Sequence, residues 1–156
     1  MTVPQPPTFT TTSEGIDHPQ IGIEGIDESV IITYFQRLNA GDYAATVALF
    51  AENGVLSPPF GDPIVGRSAI ATYLATEAVG IQLFPQVGER LAQTDDRLRR
   101  YRIVGGVQVA LFVVKTAWEI TLNQTSEVTS VTVQVLESLE KLIEFKSQPS
   151  ELLRKE

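Results

Sequence analysis

Apolar positions recur at helical spacing in the first half of the chain and in strand-like runs in the second. Val30, Ile31, Tyr34, Phe35 and Leu38 share one side of a helix that Asp27 can cap and that runs to about Asn39. Gly41 ends it, since glycine takes a left-handed turn without a Cβ clash. Asp42 then caps a second helix through Phe50, with Val47 and Phe50 facing the same core. Asn53-Gly54 supplies a tight turn into a strand over 55–57. Pro58, Pro59 and Pro63 lack the N–H that a ladder needs, so 58–63 is predicted as an irregular loop leading into Ile64-Val65-Gly66. Ser68 opens a third helix that reaches about Val79.

After Gly80 the pattern changes to strands: 81–84, then a run rich in β-branched and aromatic residues over 98–122, then 128–135. Asp95-Asp96 and 123–126 read as hairpin turns, and the apolar run 107–114 as pocket wall and core together. Helices first and long antiparallel strands afterwards define an α+β class, with helices on one face of a curved sheet that encloses a pocket. Residues 1–25 carry Pro4, Pro6, Pro7 and Pro19 in a Thr/Ser-rich run and are expected to form a flexible tail before a domain over 26–136. A helix over 137–145 and a short one over 150–154 make 137–156 a helical extension, placed outside the cone or across its mouth.

Composition narrows the chemistry. Of the 156 residues 43% are apolar and 20% charged, enough for one buried core. A net charge of −7 opposes phosphate backbones and anionic membranes, and the basic residues Arg97, Arg99 and Arg100 are interrupted by Leu98 and preceded by two aspartates. Nucleic acid is therefore not expected as a partner. The absence of cysteine excludes disulfides, thiolate metal sites and a cysteine nucleophile, and His18, the single histidine, lies in the expected tail. No metal site or catalytic group is assigned. With no apolar stretch of about 18 residues and no leader pattern, a cytoplasmic protein without a membrane span is expected.

The segment from Tyr34 to Tyr43, followed by Val47-Ala48-Leu49-Phe50-Ala51-Glu52-Asn53-Gly54, resembles the opening of nuclear transport factor 2-like domains. More narrowly, Leu56-Ser57-Pro58-Pro59-Phe60, Pro63-Ile64-Val65-Gly66-Arg67, Thr116-Ala117-Trp118 and Ser150-Glu151-Leu152-Leu153 resemble the C-terminal domain of orange carotenoid proteins and its stand-alone homologues. The likeness covers about 28–136 plus the terminal motif. It implies a nuclear transport factor 2-like cone: three N-terminal helices on a curved antiparallel or mixed sheet, with the C-terminal helix added. It also implies that Tyr34 and Trp118 donate hydrogen bonds to the keto oxygen of a ketocarotenoid such as canthaxanthin or echinenone. Leu38, Phe60 and Leu111 are expected beside them, Leu111 near the position of the family's second tryptophan.

The residue types suit that task, because a carbonyl oxygen taken out of water must receive hydrogen bonds, and Tyr and Trp each join an apolar ring to one polar hydrogen. Ketosteroid isomerases, also similar in the first helix, place their proton-abstracting Asp where Ser57 stands and a protonated Asp where Trp118 stands. A serine hydroxyl cannot replace a carboxylate base near neutral pH. A non-catalytic carotenoid-binding, transfer or photoprotective role follows, with an isomerase- or polyketide-cyclase-like enzyme using Asp62 or Glu77, or a protein-binding module with a vestigial pocket, as the alternatives. A polyene overruns one small cone, so a homodimer is expected, with a helical carotenoid-binding protein as a further partner. The family's helical N-terminal domain has no counterpart in these residues, which implies no self-contained photoswitch. Ala78 stands where some homologues have a cysteine, so no redox-linked dimer forms through that position.

Overall fold

The structure, a computed structural model, describes residues 21–137. Helix α1 spans Ser29–Asn39, α2 Tyr43–Val47 and α3 Arg67–Glu77. The strands are β1 Phe50–Ser57, β2 Ile64–Val65, β3 Gln82–Leu91, β4 Arg99–Val109, β5 Phe112–Leu122 and β6 Val128–Val135. They form one sheet in the order β2-β1-β6-β5-β4-β3, antiparallel except for the parallel β1/β6 pair. The chain is thus α+β, with its helices packed on a six-stranded mixed sheet.

Local chemistry moves several boundaries from where the sequence put them. Glu28, not Asp27, holds the N-cap position of α1, and its carboxylate turns to β4 instead of capping the helix. Asp42 does cap α2, accepting from the Ala45 amide at 3.1 Å, but that helix stops at Val47 and Phe50 already belongs to β1. Asn53-Gly54 makes no hairpin. The β1/β6 register jumps from Phe50↔Val128 to Val55↔Ser130, so the intervening residues bulge out of the ladder. Gly54 fits there because a Cβ would lie 2.8 Å from the Phe50 ring. Arg67 donates Nε and Nη2 to the Phe50 carbonyl at 3.0 and 2.7 Å, holding the start of α3 against the bulge.

The run 98–122 divides into two strands. A two-residue turn at Ala110-Leu111 folds β5 back on β4, closed by the Val109↔Phe112 pair, with Ala110 at φ 55°. No Asn-Gly or Asp-Gly doublet marks this turn, which is why the sequence hid it. Strand β3 continues well beyond Phe84 and passes through Pro85, tolerated because β3 is an edge strand.

That exposed edge is covered piece by piece. The Asn39 amide donates to the Leu83 carbonyl at 2.8 Å and accepts from its N–H at 2.7 Å, imitating a neighbouring strand. Residues 21–25, expected in the tail, run beside β3: Glu24 N donates to Gln86 O and Gly88 N donates to Glu24 O. Ile23 is only 5% exposed. Gly25, at φ 89°, lies so close that a Cβ would collide with the Gly88 carbonyl. The rest of the expected tail and all of the C-terminal extension except Glu137 lie outside the described residues.

The basic residues Arg97, Arg99 and Arg100 are each matched to an acid. Arg97 pairs with Asp95, Arg100 with Glu119, and Arg99 with Glu28 through contacts of 2.8 and 3.2 Å. Tyr101 donates to the same Glu28 carboxylate at 2.6 Å, tying the start of α1 to β4. The Arg99 hydrogen bond, against the opposing effect of burial, holds the Glu28 carboxyl below its usual range. A depressed carboxyl stabilises the fold above its unfolded-state pKa and loses that contribution as pH falls through the folded value. We predict that Glu28→Gln costs about 1–3 kcal/mol of unfolding free energy at neutral pH and much less in strong acid. Denaturant unfolding at the two pH values checks this, and an equal cost at both would contradict it.

Candidate functional site

The helices and the sheet leave a cavity of about 720 Å³ between them. Helix α1 contributes Tyr34 and Leu38, one turn apart, and α3 contributes Tyr73, Leu74 and Glu77. The loop after β1 adds Pro58, Pro59 and Phe60. Alternate residues of β5, from Phe112 and Val114 to Thr116 and Trp118, form the opposite wall, as strand pleating dictates. Val107 and Val133 continue that wall onto the neighbouring strands.

Edge-to-face aromatic contacts fix the two residues singled out by the sequence. Phe50 packs on Tyr34 with centroids 6.2 Å apart, Tyr34 on Phe35 at 5.3 Å, and Phe35 on Trp118 at 5.0 Å. Tyr34 and Trp118 are each 2% exposed. No described residue hydrogen-bonds to the Tyr34 hydroxyl or the Trp118 indole nitrogen, although both side chains line the cavity. Burial, and secondarily the nearby Tyr73, push the Tyr34 hydroxyl well above the ordinary tyrosine value, so it is a neutral donor across the physiological range. Each is a hydrogen-bond donor on the wall of a mostly apolar chamber.

The other candidates divide. Leu38 lines the cavity, and Phe60 does so at its rim, where it is 66% exposed. Leu111 does not. It occupies the β4–β5 turn and is 89% exposed, because the hidden hairpin turns the expected wall residue into a loop tip. Asp62 and Ser57 are also absent from the lining, whereas Glu77 is the one carboxylate on it among the described residues. Tyr73 was missed by the sequence reading. Its signal was periodicity: Ile70, Tyr73, Leu74, Glu77 and Ala78 share a face of α3, and three of them are core residues. Among the described residues no cluster of three or more acidic or histidine side chains could hold a metal ion, and no helix is long and apolar enough to cross a membrane.

Residues 31–133 match the SnoaL-like domain family, and the chain belongs to it. Within that nuclear transport factor 2-like class, its relatives are the C-terminal domains of orange carotenoid proteins. The chain is 32% identical over 128 residues to the orange carotenoid-binding protein of Limnospira maxima, covering 80% of this chain and 40% of that one. It is 28% identical over 130 residues to the corresponding Synechocystis protein, covering 81% and 41%. The orange carotenoid protein of Anabaena, solved with canthaxanthin bound, superposes with a TM-score of 0.75 at 32% identity, covering 82% of this chain and 42% of that one. The chain thus spans about two-fifths of the length of these relatives.

Because folding favours the protonated Tyr34 hydroxyl, its stabilising effect is complete below the ordinary tyrosine pKa of 10.0 and is lost as pH rises through the higher folded-state value. In a spectrophotometric titration of the folded protein, Tyr34 is predicted to ionise after tyrosines of ordinary pKa. Tyr34→Phe should delete that late step, and a titration curve unchanged by the substitution would show the assignment to be wrong.

Proposed function

We propose that this chain binds a ketocarotenoid without catalysing its conversion, holding the keto oxygen between the Tyr34 hydroxyl and the Trp118 indole N–H. What carries this reading is the pair of buried donors, unpartnered among the described residues, on the wall of a mostly apolar cavity. Kinship with orange carotenoid proteins supports carotenoid as the ligand class, and the canthaxanthin in the Anabaena protein supports a ketocarotenoid in particular. Physically, an apolar ring entering the cavity sheds water while its one polar atom finds donors already in place, so little ordering is left to do on binding.

A rigid linear polyene is longer than one compact cavity is wide, so in this reading part of it emerges through the mouth. A second copy of the chain, or a helical carotenoid-binding protein that accepts or delivers the pigment, is the proposed cover. The role proposed for this chain is carotenoid transfer or photoprotection, in the cytoplasm. The Ser57 side chain is not on the wall, which agrees with a cavity that holds a carbonyl without removing a proton beside it.

Glu77 supports a second reading, an isomerase- or cyclase-like enzyme with that carboxylate as base. The test is expression in a strain that makes canthaxanthin or echinenone, followed by visible absorbance of the purified protein. Bound pigment is expected, and Tyr34→Phe with Trp118→Phe should shift its spectrum and weaken retention about tenfold or more, given roughly 1–3 kcal/mol for each lost donor. A colourless protein that turns over a β,γ-unsaturated ketone, with turnover abolished by Glu77→Gln, would replace the binding reading with the enzymatic one.

A further inference from the structure

Five residues bring polar side-chain atoms to the cavity wall: Tyr34, Tyr73, Glu77, Thr116 and Trp118. Thr116 is already satisfied, because its hydroxyl donates to the Val114 carbonyl at 2.9 Å. The remaining four form two pairs of different chemistry. Tyr34 and Trp118 offer hydrogens from the buried floor. Tyr73 and Glu77 sit one turn apart on α3, with Ile70, Leu74 and Ala78 of the same face packed in the core. That packing fixes the helix with both residues on the cavity side, Tyr73 half-buried and Glu77 exposed.

We propose that Tyr73 and Glu77 form a second polar pole of the cavity, which selects a ligand ring carrying a hydroxyl next to its carbonyl. This deepens the carbonyl-binding reading and rests on it. A keto oxygen needs donors alone, and Tyr34 with Trp118 supply two. A hydroxyl must also place its own hydrogen on an acceptor, which an indole N–H cannot be. The Glu77 carboxylate is such an acceptor, and the Tyr73 hydroxyl can give or take a hydrogen bond. No described residue forms a hydrogen bond or ion pair with the Tyr73 hydroxyl or the Glu77 carboxylate, so both are free for a ligand. Both poles line the same chamber, and burial first, then Tyr73 for Tyr34 and Glu77 for Tyr73, raises the pKa of each tyrosine. Two poles on one chamber match a ring that carries two oxygen substituents.

The experiment compares two pigments that differ in this feature, canthaxanthin and astaxanthin, the latter bearing a hydroxyl beside each ring carbonyl. Each is presented to the purified apoprotein in the same detergent, and the ratio of the two dissociation constants is measured for wild type, Tyr73→Phe and Glu77→Gln. Taking the ratio within each variant cancels any general loss of affinity, and comparing it across variants cancels the different solubilities of the free pigments. The preference for astaxanthin is expected to fall about five- to tenfold in each variant, the worth of one hydrogen bond to a buried or charged partner. A ratio unchanged in both variants overturns the second pole and leaves carbonyl binding standing. Uptake of neither pigment by wild type overturns the carbonyl-binding reading and the second pole with it.

Discussion

A relay of aromatic edges, Phe50 to Tyr34 to Phe35 to Trp118, joins helix α1 to strands β1 and β5, and the rest of the cavity is arranged around it. Each such contact adds about 0.5–1.5 kcal/mol to what burial alone contributes, and each fixes a ring plane as well as a distance. The rings of Tyr34 and Trp118 therefore cannot swing to find hydrogen bonds elsewhere without breaking the relay. A buried polar group left unpaired costs about 1–3 kcal/mol. The fold tolerates that cost at these two residues, whereas the hydroxyls of the buried Thr46 and Thr116 both donate to backbone carbonyls. That unmet hydrogen-bonding capacity on a cavity wall is what the proposed carbonyl ligand would satisfy.

The framework around the relay is held by devices that leave the cavity alone. The Asn39 side chain and the backbone of Glu24 take up backbone groups along the β3 edge that would otherwise invite another strand. Arg99 and Tyr101 converge on Glu28 at the start of α1, and Arg67 grips the Phe50 carbonyl at the start of α3. Two of the helices that frame the cavity are thus each pinned at their first turn to the sheet. On the cavity side they are apolar apart from Tyr34, Tyr73 and Glu77.

Tyr34 and Trp118 were legible because each sits in a run of residues whose spacing and flanks are distinctive: an amphipathic helix ending in Asn-Ala-Gly-Asp, and a strand with Thr-Ala-Trp. Leu111 was misplaced and Tyr73 was passed over, for different reasons. Leu111 looked like wall because a continuous β-branched run conceals a turn that uses Ala110 in a conformation usually left to glycine. Tyr73 was passed over, since periodicity reports which side of a helix is inward and not whether the inward space is filled. Glu77 was noticed only as a carboxylate that could reach the pocket, and its pairing with Tyr73 needed the orientation of α3.

Local pattern determined a good deal: the three helices, the α+β class, the caps at Gly41 and Asp42, the turns at Asp95 and Asn123, and the acidic, cysteine-free surface. These depend on propensities and spacings within a few residues, which a linear sequence records directly. Tertiary structure alone decided the parallel β1/β6 pairing, the bulge that absorbs Asn53-Gly54, the turn at Ala110, and the sharing of one cavity by Tyr34, Trp118, Tyr73 and Glu77. Those features join residues up to 84 positions apart, from Tyr34 to Trp118. Their geometry is fixed by how the sheet and helices pack against one another, and no local preference encodes it.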